Sequence, residues 1–420
     1  MSFRIALSGL NAATTDLNVI SNNIANSNTT GFKYSQAQFA DVFASGALDF
    51  RSDQVGNGVR LASIAQQFAQ GNVEFTGNNL DLAITGQGFF TLRDPAGGYV
   101  YTRNGSFSVD RDGYVVNSQN QRMQVYPPVE GTGGFNTGVV TDLLLQTSQS
   151  APLPTSNGNA VLNLPANATP PSVAPFDRTN PATYNQTTST AVYDSLGNQY
   201  TMTFFFVKTA APGTWDVNVA VDGTLITPDP AATPAGTPPQ LVFSDSGVVT
   251  TPADGKLSIP AFTAAIPSSV NATANPVSFD FSLATQYGDT FGVSSITQDG
   301  YTTGRLTTID VGNSGIVSAR FTNGRALQLG QLALSNFPNP QGLRQLGNTT
   351  WAETFNSGPV IRGQPGTASF GLLQAGAVET SNVDLTQELV ALITAQRAFQ
   401  ANAQSITTID QTTQTILNIR

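Results

Sequence analysis

Apolar residues recur every three or four positions in two segments of this chain, one at each end, and the sequence between them shows no such spacing. From Phe3 the seam runs through Leu7, Leu10, Leu17 and Ile24, and Ala6, Ala13 and Ile20 widen the same face. From Leu385 it runs through Leu389, Leu392, Phe399, Ala403, Ile406 and Leu417, with Ile409 and Ile416 beside it. This spacing predicts an amphipathic helix with a heptad-like seam at each end. At 1.5 Å per residue the helices would span about 33 Å and about 50 Å. Asp384 or Thr386, ahead of Glu388, offers an N-terminal cap to the second. A lone helix of this kind is marginal in water, so both need partners. Either the two ends form a coiled coil within one molecule, or they order when many copies pack side by side. Their outer faces carry mostly Asn, Thr, Gln and Ala, where a solvated coiled coil carries Glu and Lys, and this favours the second reading.

The middle predicts antiparallel β structure throughout. Asn104-Gly105, Asp112-Gly113, Asp222-Gly223, Asp254-Gly255, Asp299-Gly300 and Asn323-Gly324 are hairpin-turn dipeptides flanked by short segments rich in Val, Phe, Tyr and Thr. Those segments include Tyr99 to Tyr101, Phe107 to Val109, Tyr200 to Val207, Trp215 to Val221 and Ile316 to Phe321. Ser148 to Pro181 is rich in Pro, Ser, Asn and Ala and predicts an extended linker; Thr227 to Pro239 predicts a long hairpin loop. The expected fold is therefore multidomain. Residues 1–24 and 385–420 form a terminal helical coiled-coil domain, and 25–75 with 376–384 a connector. Residues 76–147 with 285–375 form a first, mainly antiparallel β domain, into which a second β domain, 148–284, is inserted.

Composition excludes most chemistry. The 420 residues include no Cys and no His, which removes disulfides, thiolate and imidazole metal sites, Cys nucleophiles and any His general base. Five residues are Glu, and only Lys33, Lys208 and Lys256 are Lys. A net charge of -9 argues against nucleic acid, whose phosphates need clustered cations, and against an anionic membrane surface. Charged residues are 11% of the chain, so its polar surface is mostly uncharged amide and hydroxyl. No apolar run approaches the ~20 residues of a membrane span, and Met1 to Ser21 lacks the layout of a cleaved secretory signal.

The candidate sites are weak. Asp110-Arg111-Asp112-Gly113 begins like a calcium loop but lacks the closing Glu, so a turn is the simpler reading. Asp280 and Asp289 have no spacing that selects them as a glycosidase pair. Gly86-Gln87-Gly88 and Gly131 to Gly134 do not complete a nucleotide loop, and Asn167-Ala168-Thr169 matches a glycosylation sequon of only three residues. Arg4 and Lys33 read as solvated charges. No catalytic residue, metal or cofactor is expected.

Four segments resemble the flagellar rod and hook family of axial proteins. They are Ser21-Asn22-Asn23-Ile24-Ala25-Asn26 continuing through Thr29-Thr30-Gly31-Phe32-Lys33; Thr76 to Ile84 with Gly88-Phe89-Phe90; Tyr101 to Phe107 with Asp112-Gly113-Tyr114; and Glu379 to Leu385 with Ala395 to Asn402. Val192 to Asn198, Gln298 to Tyr301 and Leu334 to Gly342 are similar to the hook branch of that family. The resemblance implies an extracellular structural subunit of the hook. It would leave the cell by type III flagellar export and self-assemble into a flexible tube acting as a universal joint in motility. The implied partners are further copies of itself, the distal rod protein, the hook cap protein, the hook–filament junction protein and the export apparatus. The implied assembly residues are Phe3, Leu7, Leu10, Leu17, Ile20, Ile24, Leu385, Leu389, Leu392, Phe399, Ile406 and Leu417. Two alternatives stay open: a distal rod subunit, and a secreted β-rich binding or carbohydrate-active protein. The latter would need a cleft with convergent carboxylates or aromatics, and Trp215 and Trp351 are the only Trp.

Overall fold

The fold is given by a computed structural model that describes residues 2–42, 56–129, 133–145, 149–226, 238–265 and 272–418. Both terminal helices are present. The first, α1, is Ser2–Ala25, and the second, α2, is Leu385–Asn418. No Pro interrupts either segment. Asp384 caps α2: its Oδ1 accepts from the backbone N–H of Thr386 at 2.9 Å and of Gln387 at 3.1 Å. Glu388 adds a carboxylate to the first turn, at the positive end of the helix.

The chain divides into two units. One comprises Met1–Thr147, Thr308–Arg320 and Ala326–Arg420; the other comprises Ser148–Thr307 and Phe321–Arg325. The first unit holds α1, α2, a hairpin of Ser35–Asp41 with Val59–Gln66, and a β body. In that body, strands from before and after the inserted unit interleave. Phe89–Arg93 pairs with Tyr99–Thr102 and with Arg122–Tyr126 from the outgoing chain, and with Leu334–Asn336 from the returning chain. Ile84, Phe90, Leu92, Val125, Leu332 and Leu334 fill the core beneath. A second small core stacks Phe89, Tyr101, Phe337 and Trp351, with ring centroids 4.8–6.0 Å apart in edge-to-face pairs.

The inserted unit packs two sheets. In one, Gln186–Tyr193, Gln199–Lys208, Thr214–Val221, Gln240–Phe243 and Val249–Thr251 lie in order, all antiparallel. The other is built around Asn157–Pro165. Phe204 and Phe206 from the first sheet meet Phe279 and Phe281, with Ala160, Leu162 and Leu164 completing the core.

Several sequence expectations need correction. Ser148 to Pro181 is not simply a linker: Asn157–Pro165 is a central strand, with Ala160, Leu162 and Leu164 alternating inward. That strand pairs in parallel with Val277–Asp280 and Thr285–Tyr287, so the β structure is mainly, not wholly, antiparallel. Because Thr285–Tyr287 and Gly292–Gln298 also pair with it, the inserted unit continues past residue 284 to Thr307. Asp112-Gly113, Asp222-Gly223 and Asn323-Gly324 do join paired strands. Asn104-Gly105, Asp254-Gly255 and Asp299-Gly300 do not; the Asp299 carboxylate instead accepts from the backbone N–H of Ser156 and Asn157, where the chain enters the inserted unit. Of the predicted loop 227–239, residues 227–237 lie outside the described residues.

Leu162→Ala should therefore destabilise the inserted unit by about 2–5 kcal/mol, the cost of emptying a filled core site. Trp215 lies in that unit and Trp351 in the other. In a Trp351→Phe background, the urea transition read by Trp215 fluorescence should move to lower concentration. An unchanged midpoint would return this segment to a linker.

Candidate assembly interface

The two terminal helices pack through their small residues. A Cβ added at Gly9 would lie 2.6 Å from Oδ1 of Asn402, so the helices touch there with no side chain between them on the α1 side. Near the other end, Asn23 Nδ2 donates to Glu388 Oε2 at 3.3 Å. Partners on α2 fall in number as those on α1 rise, so the pair is antiparallel. The innermost line of α1 is Ala6, Ala13 and Ile20, one residue per heptad, with Val19 and Asn23 beside it. On α2 the buried position is Ala395.

The large seam residues are distributed differently. Ile20 is buried. Leu10, Leu17, Ile24, Leu392 and Ile406 are half-buried. Phe3, Leu7, Leu385, Leu389 and Phe399 are exposed, at 36–49% of their surface. Leu417 lies in α2, but its side chain is outside the described residues. Val390 and Ile393, absent from the seam read in the sequence, are also exposed, at 62% and 51%. The pair thus closes mainly on Ala6, Gly9, Ala13, Ile20 and Ala395 and leaves Phe3, Leu7, Leu385, Leu389 and Phe399 on its surface, unlike a self-sufficient two-helix coiled coil.

Where the helices meet the β body, the sequence reading of Lys33 as a solvated charge is overturned. Lys33 and Glu379 have fully buried side chains, with Lys33 Nζ 2.5 Å from Glu379 Oε1. Arg103, also buried, donates through Nη1 to Glu379 Oε2 at 3.2 Å and through Nη2 to the Gly86 carbonyl at 2.8 Å. Lys33 Nζ further donates to the Ala69 carbonyl, and the Gly71 N–H to Glu379 Oε1. Burial pushes the Lys33 ammonium below its usual range, and the Glu379 carboxylate opposes that shift. The same two causes act on Arg103, whose guanidinium keeps its charge.

Backbone and amide bonds bring these residues together. Gly31 has φ +70°, which glycine adopts without strain, and an added Cβ would lie 2.5 Å from the Asn104 backbone nitrogen. Its N–H donates to the Glu379 carbonyl at 2.8 Å. Asn23 exchanges two hydrogen bonds with the Ser35 backbone, and Asn382 accepts from the Tyr34 N–H while donating to the Gln67 carbonyl. Three of the segments singled out in the sequence, ending in Lys33, containing Arg103 and beginning at Glu379, therefore form one buried cluster.

The remaining candidates serve turns. Asp110 Oδ1 accepts from the N–H of Asp112 and Tyr114. Asp280 and Asp289 each accept from a backbone N–H one or two residues on. The buried Asp194 accepts from the N–H of Leu196 and Asn198, the Asn198 amide and the Tyr200 hydroxyl. Burial alone would raise its pKa, but these hydrogen bonds hold it below the usual carboxylate range.

The cluster carries two cations on one carboxylate, and this sets the order of mutational cost. Glu379→Gln strands both cations in the interior and should cost about 3–5 kcal/mol. Lys33→Met leaves a balanced Arg103–Glu379 pair and should cost less. Urea unfolding followed by Trp351 fluorescence in a Trp215→Phe background checks the order; a costlier Lys33→Met would contradict it.

Comparison with known proteins agrees along the whole chain. Family profiles match residues 3–33 (flagella basal body rod protein) and 83–175 (flagellar hook protein FlgE/F/G D1 domain). Others match residues 163–301 (flagellar basal body protein FlaE D2 domain) and 374–419 (flagellar basal body rod FlgEFG protein C-terminal). The flagellar hook protein FlgE of Escherichia coli K12 is 38% identical over 100% of both chains, and that of Salmonella typhimurium LT2 is likewise 38% identical over 100% of both. The one from Borreliella burgdorferi is 32% identical over 99% of this chain and 98% of its own. A crystal structure of Helicobacter pylori flagellar hook protein FlgE2 shares the fold with a TM-score of 0.54, at 12% identity over 73% of this chain and 100% of that one. Identity of this order over the full length means that the chain belongs to the flagellar hook protein family, a family of structural proteins and not of enzymes.

Proposed function

We propose that this chain is the subunit of a flagellar hook, polymerising into a curved, flexible tube that carries torque from the rod to the filament. The observation that carries this reading is the outward placement of Phe3, Leu7, Leu385, Leu389 and Phe399 on a helix pair closed by small residues. Such a pair is complete only when neighbouring copies cover it. In this reading 1–24 and 385–420 form the inner tube, 25–75 and 376–384 connect it outward, and the β units form the outer layers. Leu10, Leu17, Ile20, Ile24, Leu392, Ile406 and Leu417 complete the assembly seam. The distal rod protein lies at one end of the tube, and the hook cap and hook–filament junction proteins act at the other. The subunit reaches the tip through the flagellar export apparatus. A stiff apolar inside transmits rotation, while outer contacts between amides and hydroxyls re-pair as the tube bends.

Leu389→Asp should abolish tube formation, because a carboxylate buried between copies without a partner costs several kcal/mol at each contact. The β units should keep their fold, read by circular dichroism. Electron microscopy of concentrated protein should show curved tubes from the full chain only, and none from a chain lacking 1–24 and 385–420. Straight tubes would select the distal rod reading. Normal tubes from Leu389→Asp or Leu17→Asp would remove the helices from the assembly role.

A further inference from the structure

A groove of about 380 Å3 opens between α1, the strand Ser35–Asp41 and the first turns of α2. Its wall includes Val19, Ile20 and Phe39, and its polar groups include Asp16, Asn23 and Glu388. Phe39 remains 38% exposed. Burial pushes the Asp16 carboxyl up, and no cation offsets it. Among the described residues neither Asp16 nor Glu388 has a Lys or Arg within ion-pair distance. Tyr34, Ser35, Gln36 and Gln387 also line it, so the groove is a mainly polar slot with an apolar patch at Phe39 and two acids that have no cationic partner among the described residues.

The complementary surface lies on the same chain, on a different face. Val390, Ile393 and Arg397 follow each other at spacings of three and four along α2, and all are exposed. Arg397 sits about 200° round the helix from Ala395, which packs toward α1, given about 100° per residue. Arg397 has no carboxylate within ion-pair distance among the described residues. The guanidinium matches the two carboxylates in sign, and the two apolar side chains ahead of it match the exposed Phe39 patch.

We propose that the Val390–Ile393–Arg397 stripe of one copy seats in this groove of a neighbouring copy, with Arg397 paired to Asp16 and Glu388. The occupant is a second copy because the chain itself supplies the missing cation. Groove and stripe are different surfaces, so the contact is heterologous and leaves each end open for a further copy. A heterologous contact of this kind does not stop at a dimer, and it propagates into a helical filament when its rotation does not close a ring. The guanidinium can offer parallel N–H donors to both carboxylates, which fixes the register between neighbours as well as their attraction. This deepens the self-assembly proposed above and rests on it.

The chain has no cysteine, so a crosslink reports cleanly on this contact. Tubes formed by Asp16→Cys/Arg397→Cys at raised concentration should give a ladder of covalent oligomers with a short bismaleimide crosslinker, which spans the gap left by the two longer side chains where a disulfide could not, and either single variant should not. Tubes that form without a ladder would overturn the proposal while leaving self-assembly standing. If the unsubstituted chain forms no tubes, the self-assembly reading falls and this one with it. Arg397→Glu provides a second arm that alters only an exposed side chain. Its critical concentration for polymerisation should rise roughly tenfold or more, with a partial return in Asp16→Arg/Arg397→Glu. Polymerisation of Arg397→Glu at the unsubstituted concentration would overturn the contact.

Discussion

The Lys33–Glu379–Arg103 cluster is where this chain is tied together. Glu379 lies between the β body and α2, Lys33 follows α1, and Arg103 belongs to the β body between them. Taking three charges out of water is costly, and their mutual attraction recovers that cost only in a narrow range of geometries. The cluster therefore selects one arrangement of α1, α2 and the β body more than it adds net stability. In the proposed hook, where load would pass from the helices to the β body, that selectivity is an advantage. The Gly31–Asn104 contact and the Asn23 and Asn382 hydrogen bonds act in the same direction, since each holds backbone that would otherwise swing.

Much of this was legible in the sequence, but unevenly. Both helices follow from apolar spacing, and the cap was narrowed to Asp384 or Thr386 because capping depends on neighbours two and three residues away; the structure selects Asp384. Which helix face turns inward was not legible. Alanine and leucine are both apolar to a periodicity count, and the choice between them depends on how closely the partner helix approaches. The strand Asn157–Pro165 carried its alternation in Ala160, Leu162 and Leu164, but the Pro, Ser and Asn around it suggested a linker. Its parallel pairing was hidden, because parallel and antiparallel strands share a period of two. The charge cluster was hidden for a different reason: Lys33 and Glu379 are 346 residues apart, and nothing local to a lysine says that the fold will bury it.

The inside-out helix pair also bears on how assembly begins. Burying one exposed leucine or phenylalanine fully is worth about 1.5–3 kcal/mol, while association costs an estimated 4–15 kcal/mol in lost freedom. One neighbour covers part of the exposed set formed by Phe3, Leu7, Leu385, Leu389, Val390, Ile393 and Phe399, so a dimer is close to break-even. Several neighbours cover all of it while each added copy meets the association cost once. Growth on an existing tube end is then favoured over its nucleation in solution, and in the proposed assembly a subunit polymerises on its own only at high concentration. The sparse charge of the helix pair fits the same logic, because in the proposed contact Asp16, Glu388 and Arg397 would set register between copies without adding repulsion across the inner layer of the tube.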